Sequence, residues 1–174
     1  MRIRSCFLAL VSVLAVGVSS FAQPVNGHGE PEPVGPLTYD PPFVDVSAYL
    51  TEEDDINAWY TLVYNLKQNF DYICGDTFCE GEYTNIESLR YRCSVERTTG
   101  IIGTCVWVFA ASNEEISPWT GKIIADVPAW QCRSPLVWGT SIHDLLSALS
   151  GTSPLYAELP GTDQSLYDGL ATCL

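Results

Sequence analysis

Positive charge and histidine are both scarce in this chain. Its 174 residues include 8 lysines and arginines and 2 histidines, against 21 acidic residues, for a net charge of −13. Such a surface repels nucleic acid and anionic membranes and suits a cationic partner or simple solubility. With so few histidines and no Cys-x-x-Cys pair, a zinc site is disfavoured.

Motifs that assign a reaction are also missing. The sequence has no Gly-x-Ser-x-Gly elbow, no phosphate-binding glycine loop and no dinucleotide fingerprint. Beyond the N-terminal segment, no apolar run approaches the length of a membrane span. The sequence alone therefore assigns no molecular function, and candidates have to come from its architecture.

The N-terminus has the pattern of a signal peptide. Arg2 and Arg4 precede an apolar run over Cys6–Val18, and Ser20 and Ala22 fit the small-residue positions of a signal-peptidase site. We expect a signal peptide over residues 1–22, cleavage after Ala22, a secreted or periplasmic product, and no membrane insertion afterwards. An uncleaved anchor is the alternative. Cleavage would leave six basic against 21 acidic residues, a net charge of −15.

The cysteines agree with export. Six lie beyond the signal peptide, and an even number in an exported chain predicts a disulfide framework. They are Cys74, Cys79, Cys93, Cys105, Cys132 and Cys173. The hairpin described below predicts a bond between Cys93 and Cys105. Among the three pairings left for the other four, we favour Cys74–Cys79, which clips a loop, and Cys132–Cys173, which anchors the C-terminus.

Residues 23–48 are rich in proline, glycine and acid, which predicts a disordered or extended leader that contains His28. Phe43, Val44 and Val46 are candidates to dock as a short extended piece.

A single domain is predicted over residues 49–174. It opens with a helix capped by Thr51, because acids fill the first turn and apolar residues recur at spacings of three and four. These are Ile56, Trp59, Tyr60, Val63, Leu66 and Phe70.

A β-hairpin follows the helix. Apolar and polar residues alternate over 89–96, and Ile101–Ala110 is apolar on both faces, which predicts a central strand. A three-residue turn with Gly100 left-handed would pair Arg97 with Ile101. The same register places three pairs directly opposite each other: Cys93 with Cys105, Tyr91 with Trp107, and Leu89 with Phe109.

The remaining elements are shorter. A third strand is predicted over Lys122–Cys132, with Pro128 at an edge or bulge, after a loop over Ser112–Gly121. Ser141 and Thr162 are predicted to cap two C-terminal helices. The predicted fold is α+β: a long N-terminal helix packed on a small antiparallel sheet, then one or two short helices, stapled by disulfides. This element order resembles that of cystatin-like folds, which implies no function.

An acidic loop over residues 71–83 is a candidate calcium-binding site. Its carboxylates are Asp71, Asp76, Glu80 and Glu82. Asp71 and Glu82 are spaced like the ends of an EF-hand loop, but the intervening positions do not fit, because Asp76 replaces the required glycine. Calcium-dependent stabilisation is therefore one alternative function, and solvated surface acids are the plain explanation.

Catalytic candidates are few. His143 is the only histidine in the predicted domain, although its neighbours have the pattern of a helix cap. Glu114 and Glu115, close to Trp119, form the best combination of acid and aromatic residues for a glycosidase-type reaction. A small exported hydrolase that uses the 71–83 acids, Glu114, Glu115 or His143 is the second alternative.

Aromatic residues in loops give the main hypothesis. Trp119, Trp130 and Trp138 lie in or beside segments with proline or glycine, and exposed aromatics tend to mark binding surfaces. Sheet-edge caps would explain them equally well. We expect a non-enzymatic interaction module whose partner is a protein or a glycan. The negative net charge of the chain favours a cationic partner.

Overall fold

The computed structural model describes residues 41–174. The predicted signal peptide, its cleavage site and His28 lie outside these residues. The helices and strands are, in chain order, β1 (Phe43–Asp45), α1 (Val46–Tyr49), α2 (Glu53–Cys74), β2 (Glu87–Glu96), β3 (Ile102–Ala110), β4 (Asn113–Ile116), β5 (Ile123–Asp126), β6 (Ala129–Arg133), α3 (Ile142–Ala148) and α4 (Leu166–Ala171).

Four strands form an antiparallel sheet in the order β1-β2-β3-β6, and α2 packs against one of its faces. Aromatic rings join the two layers. Trp59 of α2 stacks on Tyr91 with ring centroids 5.8 Å apart, and Phe70 lies 4.7 Å from Phe109 and 5.9 Å from Trp107. The α+β prediction is confirmed, and β3 has the central position that its apolar faces predict.

The sheet begins earlier than the predicted domain. Phe43 and Val44 pair with β2 from the sheet edge, and Val46, the first residue of α1, is fully buried. Within the described residues, secondary structure therefore begins at Phe43, ahead of the predicted domain boundary at residue 49, and it includes the apolar residues that were candidates for docking. The side chain of Asp45 caps α1 by accepting a hydrogen bond from the Ser47 amide.

The start of α2 differs from the prediction. Its N-cap is Glu52, whose side chain makes no capping hydrogen bond, and not Thr51. The three acids of the first turn supply favourable charge at this end of the helix. The buried face is also rotated, because Leu62 is buried whereas Tyr60 is exposed.

The centre of the β2–β3 hairpin has the predicted register. Cys93 lies opposite Cys105, and Tyr91 lies opposite Trp107. The predicted pairing of Arg97 with Ile101 is wrong, because the Glu96 amide donates to the Ile101 carbonyl and the turn holds one residue more. A bulge between Ser94 and Val95 then restores the register.

The other end of the hairpin was mispredicted. A second bulge, between Ser88 and Arg90, places Ser88 opposite Phe109 and leaves Leu89 exposed. Ser88 is buried instead, and its hydroxyl accepts a 2.8 Å hydrogen bond from the Trp107 indole N–H. Burial of an indole N–H requires a partner, which explains a serine at an inward position.

The predicted third strand is two strands. Pro128 separates β5 from β6, and only β6 joins the four-stranded sheet. The predicted loop over Ser112–Gly121 contains β4, which pairs with β5 in a separate two-stranded sheet. We call residues 113–126 the ribbon.

Two capping boxes fix the C-terminal helices. Ser141 and Asp144 form the one that begins α3, as predicted. The last helix is capped by Ser165 with Asp168, and not by Thr162, so that it begins later than expected. In both boxes the hydrogen bonds from the serine hold the pKa of the aspartate below its usual value.

Three disulfides join the cysteines as predicted. Cα atoms lie 5.0 Å apart in Cys74–Cys79, 4.0 Å apart in Cys93–Cys105 and 5.6 Å apart in Cys132–Cys173. The first clips the segment after α2, the second joins β2 to β3, and the third ties the end of the chain to β6. Each bond therefore holds a different part of the domain.

Candidate interaction surface

The ribbon extends the chain between β3 and β6 without joining the main sheet. Its four opposed pairs are Asn113–Asp126, Glu114–Ala125, Glu115–Ile124 and Ile116–Ile123. The Ser117 amide donates to the Lys122 carbonyl at 2.8 Å, and Gly121 closes the turn with a φ of 68°. A positive φ of this size favours glycine, so this turn chemistry supports the hairpin.

All eight strand residues of the ribbon are exposed. Because opposed residues share a face and neighbours alternate, Ile116, Ile123 and Ala125 lie on one face with Glu114. Ile116 is 72 % exposed and Ile123 is 71 % exposed. Ile124 and Val127 are exposed as well. Large apolar side chains are therefore concentrated where nothing in residues 41–174 covers them.

The tip of the ribbon differs in charge from the rest of the chain. We define the tip as residues 116–124; it contains Lys122 and no carboxylate. Trp119 stands at its end and is 94 % exposed. The acids Glu114, Glu115 and Asp126 lie on the strands behind it. The tip is thus apolar and weakly positive in a chain with a net charge of −13.

The base of the ribbon is held by the segment between α2 and β2. The Tyr83 hydroxyl donates a 2.6 Å hydrogen bond to Asp126, and the Tyr83 ring meets Trp130 edge-on at 5.6 Å. The bond to Asp126 raises the pKa of Tyr83 to about 12. Asn85 exchanges two hydrogen bonds with Ser112, just before β4. The segment that follows the first disulfide therefore positions the ribbon.

The three candidate tryptophans do not share one surface. Trp138 is 96 % exposed and lines a groove with Ile102 and Arg133 at the start of β3. Trp119 stands on the ribbon, which follows the opposite end of β3, and nine strand residues at about 3.4 Å each separate the two ends of β3 by roughly 30 Å. Trp130 is partly buried against Tyr83.

The candidate calcium ligands are spread out. The predicted loop start is wrong, because Asp71 belongs to α2, where it pairs with Lys67 at 3.2 Å. Asp76, Glu80 and Glu82 are exposed. Within residues 41–174, no three His, Cys, Asp or Glu side chains lie close enough together to hold a metal ion.

The candidate catalytic groups also lie apart. His143 is near the start of α2, with its Nδ1 atom 3.5 Å from an Asp55 carboxylate oxygen. Of the 71–83 acids, Asp71 lies in the last turn of that helix and the others follow it, and 22 residues at 1.5 Å each separate the two ends of the helix by about 33 Å. Glu114 and Glu115 lie on the ribbon. Ser141 and Asp144, which flank His143, are engaged in their capping box.

No protein family model, curated protein or solved structure matches the chain. Function therefore has to be inferred from the chain's own geometry. Within residues 41–174, no helix has the length and apolar character that crossing a bilayer requires.

The apolar residues of the ribbon were overlooked in the sequence. The signal that could have identified them is a pair of short segments, Glu115–Ile116 and Ile123–Ile124, around a proline- and glycine-containing turn. Such a pattern is typical of a hairpin. The nearby acids and Pro118 made residues 112–121 resemble a polar loop, and Ile123 and Ile124 were assigned to the predicted third strand.

Proposed function

We propose that the chain is an exported, non-enzymatic interaction module that binds its partner through the tip of the ribbon. One observation carries this proposal: Ile116, Trp119 and Ile123 are each more than two-thirds exposed on a ribbon that stands apart from the core. An exposed apolar group of this size is typical of a binding surface. Export rests on the signal-peptide pattern, and the three disulfides are consistent with it.

The partner is a protein or glycan that offers an apolar surface to the tip. The edge of that surface is cationic, because Glu114, Glu115 and Asp126 lie on the strands behind the tip. Trp119 is the natural anchor, since tryptophan dominates the energetics of many interfaces. Positioning by Tyr83 and Asn85 keeps the tip at a fixed place on the domain, which lowers the entropic cost of binding.

The test compares two changes of exposed residues. The oxidised chain is immobilised and exposed to the native extracellular or periplasmic fraction, with reduced protein as the negative control. We expect the double variant Trp119→Ser/Ile116→Ser to lose the captured species and Trp138→Ser, an equally exposed tryptophan, to retain it. Equal capture by both variants would contradict a role for the tip.

The hydrolase alternative keeps one supporting observation, the proximity of His143 to Asp55. A carboxylate beside a histidine is the arrangement that orients a general base. Substrate turnover by the purified chain that His143→Ala abolishes would favour the hydrolase over the interaction module. Glu115→Ala tests the ribbon carboxylates in the same assay.

A further inference from the structure

The free edge of β5 is the feature of the ribbon that the proposed function does not use. The Lys122 carbonyl accepts from the amide of Ser117, the residue after β4, so the peptide groups of Lys122, and by alternation of Ile124, face β4. Those of Ile123 and Ala125 face outward. They have no strand partner in residues 41–174, because this sheet has only two strands.

An uncovered edge of this kind is normally protected by charge or proline. The β4 edge has such protection, because pairing two β4 strands about Glu114 or Glu115 would place like charges opposite each other. The outward positions of β5 are Ile123 and Ala125, and its central residue is Ile124. The two edges of the ribbon therefore differ in their capacity to add a strand.

We propose that β5 pairs antiparallel with β5 of a second copy of this chain, centred on Ile124. In that register Lys122 lies opposite Asp126 of the second copy, and the reverse pair forms by symmetry. Ile123 and Ala125 then exchange backbone hydrogen bonds across the interface. All of these opposed residues lie on matching faces, because their sequence numbers have the same parity.

The charges make β5 complementary to itself. Lys122 stands at one end of the strand and Asp126 at the other, so the antiparallel arrangement joins opposite charges at both ends. The Lys122 ammonium makes no ion pair within residues 41–174, and one Asp126 oxygen, Oδ2, is engaged by Tyr83. The result is a four-stranded sheet, β4-β5-β5-β4, with closed two-fold symmetry.

The inference concerns the backbone edge of β5, whereas the proposed function rests on the exposed side chains of Ile116, Trp119 and Ile123, so either can fail alone. The area of one short strand pair is small compared with that of a stable interface, and we expect a reversible monomer–dimer equilibrium. Opposed ion pairs at exposed positions are screened by salt. Dimerisation should therefore weaken as ionic strength rises.

Exchanging the charges of Lys122 and Asp126 gives a decisive test, measured by sedimentation velocity on the intact, oxidised chain. We expect the unaltered chain to dimerise, and Lys122→Asp or Asp126→Lys alone to weaken the dimer roughly tenfold or more, since two attractive pairs become two repulsive pairs. Mixing the two variants should restore a dimer, because each then supplies the charges that the other lacks.

Arg90→Asp is the matched control, because it makes the same change of charge at an exposed position on β2 and should leave the dimer intact. A chain that remains monomeric at every concentration would overturn the inference. So would a dimer that neither single variant weakens, or variants that do not associate when mixed. Trp119→Ser should abolish partner capture without changing sedimentation, which separates a failure of the edge from a failure of the tip.

Discussion

Two hairpins of this domain, β2–β3 and the ribbon, have the same topology and opposite surroundings. The β2–β3 hairpin buries Tyr91, Trp107 and Phe109 against α2, and a disulfide joins its strands. The ribbon has eight exposed strand residues and no cysteine, and its hydrogen bond to the rest of residues 41–174 lies at its base. Each hairpin contains large apolar side chains, but only in the first do they form a core.

The difference shows where stability resides and where binding is expected. A two-stranded hairpin alone is marginally stable in water, so the ribbon depends on its anchor at Tyr83 and on the strands that continue from it. Apolar residues in β2 and β3 are explained by packing. Those in the ribbon contribute nothing to the core, and the partner surface that we propose would explain why they are apolar.

The largest expected effect comes from removing one apolar side chain from each hairpin. Phe109→Ala should lower the free energy of unfolding by about 3–5 kcal/mol, because it leaves a cavity beside Phe70. Ile123→Ala should change it by no more than about 0.5 kcal/mol, because Ile123 is exposed. Urea denaturation followed by circular dichroism measures both. A large loss of unfolding free energy in the Ile123→Ala variant would show that the ribbon is part of the core.

Removing disulfides compares the C-terminal segment with the short loop that follows α2. Cys132 and Cys173 close a separation of 41 residues, and Cys74 and Cys79 one of 5. By the chain-entropy relation, replacing the first pair with alanine should cost about 4 kcal/mol and replacing the second about 2 kcal/mol. Melting of the two double variants tests this order, and equal losses would contradict it.

The β2–β3 hairpin of the four-stranded sheet was largely predictable because its signals are local and redundant. The alternation around Tyr91 and Cys93 and the apolar run of β3 both indicate the same register. The two bulges were not predictable, because they depend on tertiary demands: Ser88 replaces Leu89 inside because the buried Trp107 indole needs an acceptor. The cap at Ser165 was missed because Thr162 offers the same hydroxyl chemistry three residues earlier.

The candidate site was predicted only in part. Trp119 was identified by its loop composition, but the exposed isoleucines beside it were not, because Ile116 lay in a predicted polar loop and Ile123 and Ile124 in a predicted strand of the sheet. Trp130 could not be separated from Trp119 in the sequence, since only the packing of Tyr83 against it shows that it is partly covered. Exposure depends on what the rest of the chain places nearby, and the sequence pattern does not contain that information.

A smaller effect should follow from the serine that supports the buried indole. Ser88→Ala removes the acceptor of the Trp107 N–H and should cost about 1–3 kcal/mol, the typical result of leaving a buried donor unsatisfied. Ser94→Ala, on the same strand, is the control and should stay within about 0.5 kcal/mol. Equal values for the two variants would show that water replaces the lost acceptor.

The smallest expected effect is a titration that distinguishes the two hairpins. Tyr83 beside the ribbon and Tyr91 in the sheet both have a pKa raised to about 12, the first by its bond to Asp126 and the second by burial. A raised pKa means that folding favours the protonated phenol. Each contribution to stability is therefore complete below about pH 10 and is lost as the pH rises towards 12.

Asp126→Asn should lower the pKa of Tyr83 and leave that of Tyr91 unchanged, which ring NMR signals recorded against pH would show. If both values move together, the base of the ribbon and the sheet open as one unit, and the contrast between the two hairpins does not hold in alkaline solution.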